Sequence, residues 1–319
     1  MAPHVALKLL GCLRSDVMDL LAEANRVRQH FKGDRVHLCA VINAKSGRCP
    51  EDCAFCAQSV HSASKIPTYP LKPADEIFEE ARAIEEMGAR AVGIVTSGLG
   101  PTDKELEVIC KVIERIRKEL KVLPDASLGM LTEKKARMLK EAGLHGYHHN
   151  VETAESFFGR VCSTHPYSQH LETLAIAKAA GFRICSGGIF GLGESLEQRI
   201  EMAETLRQVD PDRVCMNFFI PVEGTRIEGG GSLSPMEILK LIAVYRLMLP
   251  QQDINVCAGR EMHLRDLQGM IFFAGANATM IGNYLTQAGR PASEDLKLVE
   301  DAGLKRRGPD EVDSGSIPG

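Results

Sequence analysis

The chain has 319 residues, 44% of them hydrophobic, with a formal net charge of -4 and ten cysteines. That is enough apolar mass for one large domain, and an α/β barrel uses such a length as a single unit. A mildly acidic chain without a basic stripe argues against a nucleic-acid partner, and no window approaches the ~18 unbroken apolar residues of a membrane span.

Met1 to Leu10 lack the basic start, apolar run and small-residue site of a signal peptide. A cytoplasmic chain is therefore expected, with its cysteines serving metal or catalysis rather than disulfides. Residues 15–30 read as an amphipathic helix, with Val17, Leu20, Leu21, Ala24 and Val27 on one face, inside an N-terminal extension spanning 1–33. From residue 34 onward, short β-rich runs alternate with amphipathic helices. Eight strands are expected at roughly 36–43, 90–96, 124–129, 146–150, 182–187, 212–218, 254–258 and 277–281. Thr102 with Glu105, Ser195 with Gln198, and Ser234 with Glu237 read as capping boxes between them. Strands alternating with helices imply right-handed βαβ units, and eight such units close a (β/α)8 barrel of the TIM type over 34–304. An open doubly wound sheet is the rival, though eight strands would make a wide one. The polar stretch 305–319 is expected to be a disordered tail.

The sharpest local signal follows the first strand: Cys49-Pro-Glu-Asp-Cys53-Ala-Phe-Cys56. In a barrel, loops at the C-terminal ends of strands build the active site. A zinc site usually takes a second Cys-x-x-Cys pair or two histidines, and none follows. A ferredoxin-type cluster would want a fourth nearby cysteine, and the next is Cys110. Three thiolates on a four-iron cluster leave one iron open, which marks chemistry rather than structure. A structural metal site is the plainer alternative.

The spacing Cys-x3-Cys-x-aromatic-x-Cys resembles the signature of radical S-adenosylmethionine (SAM) enzymes. The resemblance implies a [4Fe–4S] cluster on Cys49, Cys53 and Cys56, SAM chelated at the open iron, and a 5'-deoxyadenosyl radical that abstracts hydrogen, with Phe55 near the adenine. Four blocks narrow the match to the biotin synthase family. They are Asn43-Ala-Lys-Ser-Gly-Arg-Cys-Pro-Glu-Asp-Cys-Ala-Phe-Cys-Ala-Gln58, Tyr147-His-His-Asn150-Val-Glu-Thr153, Ile184-Cys185-Ser-Gly-Gly-Ile-Phe-Gly-Leu-Gly-Glu194 and Cys257-Ala-Gly-Arg260-Glu261. The similarity runs from about residue 15 to 304. By that resemblance, Asn150 and Glu152 contact SAM and dethiobiotin. The turn of Gly187, Ile189, Gly191 and Glu194 approaches the adenine, and Asn217 binds substrate. Residue chemistry is compatible: Asn150 and Glu152 lie two apart and share a side, whereas glycine in such a turn also serves simply to turn.

The sequence departs from the family at its second cluster. Familiar members hold a [2Fe–2S] cluster in the barrel on three cysteines and an arginine. Cys185 and Arg260 match two of those positions and would be the residues sulfur insertion needs, but Gly93 and Asp125 stand where the other two cysteines would be. A replacement set is Cys39, Cys185, Cys215 and Cys257 with Arg260, holding an auxiliary cluster of four irons rather than two. Cys257 and Arg260 are three apart, so their parity differs unless the Gly259 turn intervenes. Buried thiols acting as small hydrophobes are the plainer reading. Cys12, Cys110 and Cys162 read as packing residues, and His170 stands where the family often has an arginine. The resemblance implies conversion of dethiobiotin to biotin by a homodimer fed by a flavodoxin or ferredoxin. The alternatives are a radical SAM relative of the hydrogenase-maturation or methylornithine-synthase type without sulfur insertion, and a non-catalytic iron–sulfur carrier.

Overall fold

In a computed structural model, residues 1–227, 231, 233–308 and 311 are described. All eight expected strands are present: β1 (Arg35–Lys45), β2 (Ala91–Thr96), β3 (Leu123–Ser127), β4 (Gly146–His148), β5 (Arg183–Phe190), β6 (Arg213–Phe218), β7 (Asp253–Val256) and β8 (Ala278–Met280). Each pairs in parallel with its sequence neighbours, and β1 pairs with both β2 and β8. The sheet therefore closes on itself, which decides for the barrel over the open sheet. Closure removes both sheet edges and leaves every strand buried on its inner face.

The helices begin where their capping residues dictate. Thr102, Ser195 and Ser234 each accept a hydrogen bond from the backbone N–H three residues on, and Glu105, Gln198 and Glu237 return the bond. Two helices precede the barrel. Helix α1 (Pro3–Leu10) escapes the periodicity reading because it is short; it packs on helices Leu196–Val209 and Pro235–Met248. Helix α2 (Val17–Lys32) buries Val17, Leu20, Leu21 and Ala24 against Pro235–Met248, while Val27 is half-buried.

The N-terminal end of the barrel is plugged by charge. Lys32, the last residue of α2, puts its ammonium 3.0 Å from Asp253 at the start of β7, and Arg307 reaches the same carboxylate at 3.4 Å. Asn277 donates to Asp253 at 2.6 Å and accepts from the buried Arg246 at 2.7 Å. Burial alone would raise the Asp253 carboxyl; Lys32, Arg307 and Arg213 outweigh it and hold it far below the carboxylate range.

Arg307 also corrects the expected tail. Lys305–Arg306 forms β9, a short strand beside Arg35 and Val36 of β1, because the following arginine is drawn under the barrel to Asp253. The remaining tail positions other than 307, 308 and 311 lie outside the described residues.

Candidate functional site

The Cys49–Cys56 loop leaves β1 through Gly47 and Arg48, both in the left-handed region at φ 76° and 55°. It is braced at both ends. The Cys49 N–H donates to the Gln58 carbonyl at 3.0 Å, and the Ala54 N–H donates to the Val161 carbonyl at 2.8 Å. Asp52 accepts from the backbone N–H and hydroxyl of Ser163 at 2.8 and 2.6 Å. Burial opposes its ionisation, but the bonds from Ser163, Cys162 and Thr164 prevail and hold it well below the carboxylate range. The three thiols are half-buried and do not all lie within 4.8 Å of one another. Such a spread suits a polynuclear cluster better than one small ion. Burial is the main cause that pushes all three thiols up, Cys56 to about 11. They are thiols until a metal draws off the protons.

Facing this loop is a mouth with one apolar and one polar wall. Phe55 packs, with Ile189 and Ile227, against a buried cluster of Val161, Leu192 and Phe219. Across from it, Glu152 lies near the charges of Cys53 and Cys56, and burial pushes its carboxyl up to about 7. Asn150 donates to Glu152 at 3.3 Å, while its Oδ1 is buried with no partner. An orphaned buried acceptor costs about 1–3 kcal/mol, and its place beside the cysteine loop fits a ligand donor. The residues thus fit a cluster with SAM beside it.

Two expected contacts are committed elsewhere. Glu194 accepts from the N–H groups of Gly191 and Leu192, at 2.9 and 2.8 Å, and from Arg199 at 2.8 Å. It braces its own turn because Gly191, at φ 93°, aims those donors inward. Gly187 is required by packing: a Cβ there would lie 1.8 Å from the Cys215 carbonyl oxygen. Asn217 donates to the Gly188 carbonyl at 3.2 Å and accepts from the Ala258 N–H at 3.3 Å, tying β5, β6 and the end of β7 together.

Below the mouth, the expected four thiols come together. Cys185, Cys215 and Cys257 form one buried cluster with Met280, and half-buried Cys39, Val41 and Tyr284 pack against it. The sulfurs of Cys185 and Cys215 are 3.0 Å apart. Burial is the main cause that raises Cys39, to about 11, and the hydrogen bond with Cys215 leads in raising Cys185. Metal-free, this is a nest of protonated thiols.

Arg260 does not join them. It is fully buried, but its guanidinium turns to Asp295 at 2.7 Å and to Glu261 at 3.4 Å. The Gly259 turn, at φ 85°, ends the strand and starts a short helix at Arg260, so alternation along β7 stops before it. The β7 side chain among the sulfurs is Asn255, whose Nδ2 lies 3.5 Å from Cys39 and 3.4 Å from Cys215. The nearby cation is Arg213, two residues before Cys215, whose charge lowers the Cys39 and Cys257 thiols against burial. Counting in twos along β6 and β7 would have found both. Gly93 and Asp125 pair in register on β2 and β3. Asp125 is spent on His145 at 2.9 Å and Arg213 at 3.6 Å, so that side of the barrel offers an ion pair in place of thiols.

His170 is no substitute cation. Its imidazole sits between His165 at 3.1 Å and His149 at 2.9 Å, and burial lowers it to about 4. His165 continues the row to Glu51 of the cysteine loop. Cys162 is a packing residue with a polar edge, its sulfur 3.2 Å from Asp52.

A closed parallel barrel with a three-cysteine loop at the strand-end mouth defines a radical SAM enzyme. The Radical SAM superfamily matches residues 44–206, and the Biotin and Thiamin Synthesis associated domain matches 215–305. Biotin synthases of Citrifermentans bemidjiense and Pelobacter propionicus are each 53% identical to this chain over 300 residues, covering 94% of it and 92% of their own length. This chain belongs to the biotin synthase family. Two solved structures share its fold. Methylornithine synthase has a TM-score of 0.84 at 22% identity, covering 97% of this chain and 94% of its own. The FeFe-hydrogenase maturase HydG from Carboxydothermus hydrogenoformans has a TM-score of 0.82 at 22% identity, covering 96% and 76%. No helix among the described residues is long and apolar enough to cross a membrane.

Proposed function

We propose that this enzyme converts dethiobiotin to biotin, using a [4Fe–4S] cluster held by Cys49, Cys53 and Cys56 and sulfur from an auxiliary cluster held in the barrel by Cys39, Cys185, Cys215 and Cys257. The observation that carries this is the pairing of a four-thiol nest on the barrel strands with the cysteine loop that follows β1 and an Asn150 Oδ1 left without a partner. Bound there, the upper cluster and SAM supply one-electron chemistry able to open unreactive C–H bonds, and the lower cluster supplies sulfide.

The chain's own residues bind, orient and exclude water. Glu152 offers acceptors to ribose hydroxyls, and Asn150 Oδ1 accepts from a sugar or from the N–H of a cyclic urea. Phe55 with Leu192 and Phe219 gives the adenine an apolar seat. Asn217 holds the strand ends that shape the substrate floor. Four thiol ligands in place of the family's three thiols and an arginine favour a four-iron auxiliary cluster.

Anaerobically reconstituted protein given SAM, dithionite and dethiobiotin is expected to release both 5'-deoxyadenosine and biotin. Deoxyadenosine without biotin would instead favour a relative lacking sulfur insertion, the reading that the Asp125–Arg213 ion pair keeps in view.

A further inference from the structure

We propose that His148 is a nitrogen ligand of the barrel-interior cluster, taking one of its four terminal iron positions beside Cys185 and Cys215 and leaving one of the other two thiols off the core. The inference rests on the auxiliary-cluster reading above and names a ligand that reading did not include. His148 ends β4 and stands in register with Cys185 on β5. One ring nitrogen of His148 and the sulfurs of Cys185 and Cys215 all lie within 4.8 Å of one another.

Several other histidines around the barrel are engaged elsewhere: His145 by Asp125, His149 by His170, His165 by Glu51 and His263 by the Phe219 carbonyl. His37, buried on β1, has both ring nitrogens unpartnered but does not share the close group of His148, Cys185 and Cys215. His148 lies beside the Cys185 and Cys215 thiols. A metal-binding imidazole needs a lone pair near the metal, and a ring nitrogen of His148 lies within 4.8 Å of both sulfurs.

Position adds to proximity. The thiols come from β1, β5, β6 and β7, and β2 and β3 offer Gly93 and Asp125 instead. His148 extends the ligand arc by one strand towards that gap. Four thiolates would also load a dry interior with negative charge, countered at close range chiefly by Arg213. A neutral imidazole suits iron and adds no charge. Histidine in place of cysteine raises an iron–sulfur potential, which would ease reduction of a cluster that must give up sulfide.

The test is pulsed EPR of the reduced, reconstituted enzyme, recorded without SAM so that no ligand amine contributes. Protein grown on natural histidine should show a 14N coupling on the auxiliary-cluster signal. Growth on 15N-histidine should convert it to 15N, and His148→Asn should abolish it while SAM cleavage continues. His148→Cys should restore a full cluster at a lower midpoint potential. His37, two residues before Cys39, is also labelled, and a coupling that survives in His148→Asn would overturn the assignment. So would a full second cluster with no histidine coupling in the wild-type enzyme, a spectrum independent of how any variant folds. Wild-type protein holding only about four irons would overturn the auxiliary-cluster reading itself, which is a different result.

Discussion

At the scale of single residues, the two sets of cysteines should separate by function. Cys53→Ala is expected to abolish 5'-deoxyadenosine formation, because two remaining thiolates cannot hold a cluster with one open iron; product release is the measurement. Cys185→Ala and Cys215→Ala should leave SAM cleavage largely intact, stop biotin formation, and lower bound iron by the share of the second cluster. Glu152→Ala should weaken SAM binding about ten-fold or more, the worth of one hydrogen bond to a charged group, read by equilibrium binding. The triplet was plain in sequence because its ligands sit within eight residues. The interior nest was only half legible. Cys39, Cys185, Cys215 and Cys257 were found by placing cysteines on strands, but Asn255, Arg213 and His148 were not. A side chain acquires that environment only when strands distant in sequence are laid side by side, and the Gly259 turn takes Arg260 out of the strand alternation that would have placed it.

At the scale of elements, β5 and β6 carry the tightest constraint. A Cβ at Gly187 would lie 1.8 Å from the Cys215 carbonyl oxygen, a backbone atom that cannot swing aside. Gly187→Ala is therefore expected to spread these strands, displace the Cys215 sulfur and destabilise the fold by at least the ~1–3 kcal/mol of core overpacking, seen as a lower Tm. The helix starts are milder. Ser234→Ala should cost about 1 kcal/mol, since one cap is lost and the helix Pro235–Met248 remains buried against its neighbours. All eight strands were legible because short β-rich runs alternate regularly with capped, glycine-ended helices, even where, as in β3 and β4, the run itself is not apolar. Helix α1 and β9 were not. The first is short, and the second is two residues paired with β1 from the other end of the chain and followed by an arginine held to Asp253.

At the scale of the whole molecule, the charged plug ties both ends of the chain to the barrel. Asp253→Asn would leave Lys32 and Arg307 facing a neutral amide, and breaking a buried pair costs about 3–5 kcal/mol. The Tm of the variant should fall accordingly. The pH dependence follows in sign. The folded carboxyl is depressed, so its stabilisation is complete above the unfolded value, about 3.9, and drains away as pH falls below it. Metal-free wild-type protein should therefore lose more stability between about pH 5 and 2 than the asparagine variant does.

The same plug makes the barrel a blind shaft. With Lys32, Asp253, Arg307 and Arg246 filling the lower end, whatever reaches the sulfur nest must descend past the cysteine loop, and whatever leaves must climb back by the same stair. On the proposed reading, last in would be first out, and a spent lower cluster would be walled off until product and cofactor fragments had vacated the opening above it. Radiolabelled sulfide should enter the nest readily in the open enzyme and slowly once SAM and dethiobiotin are seated, whereas equal uptake in both states would mean a second door.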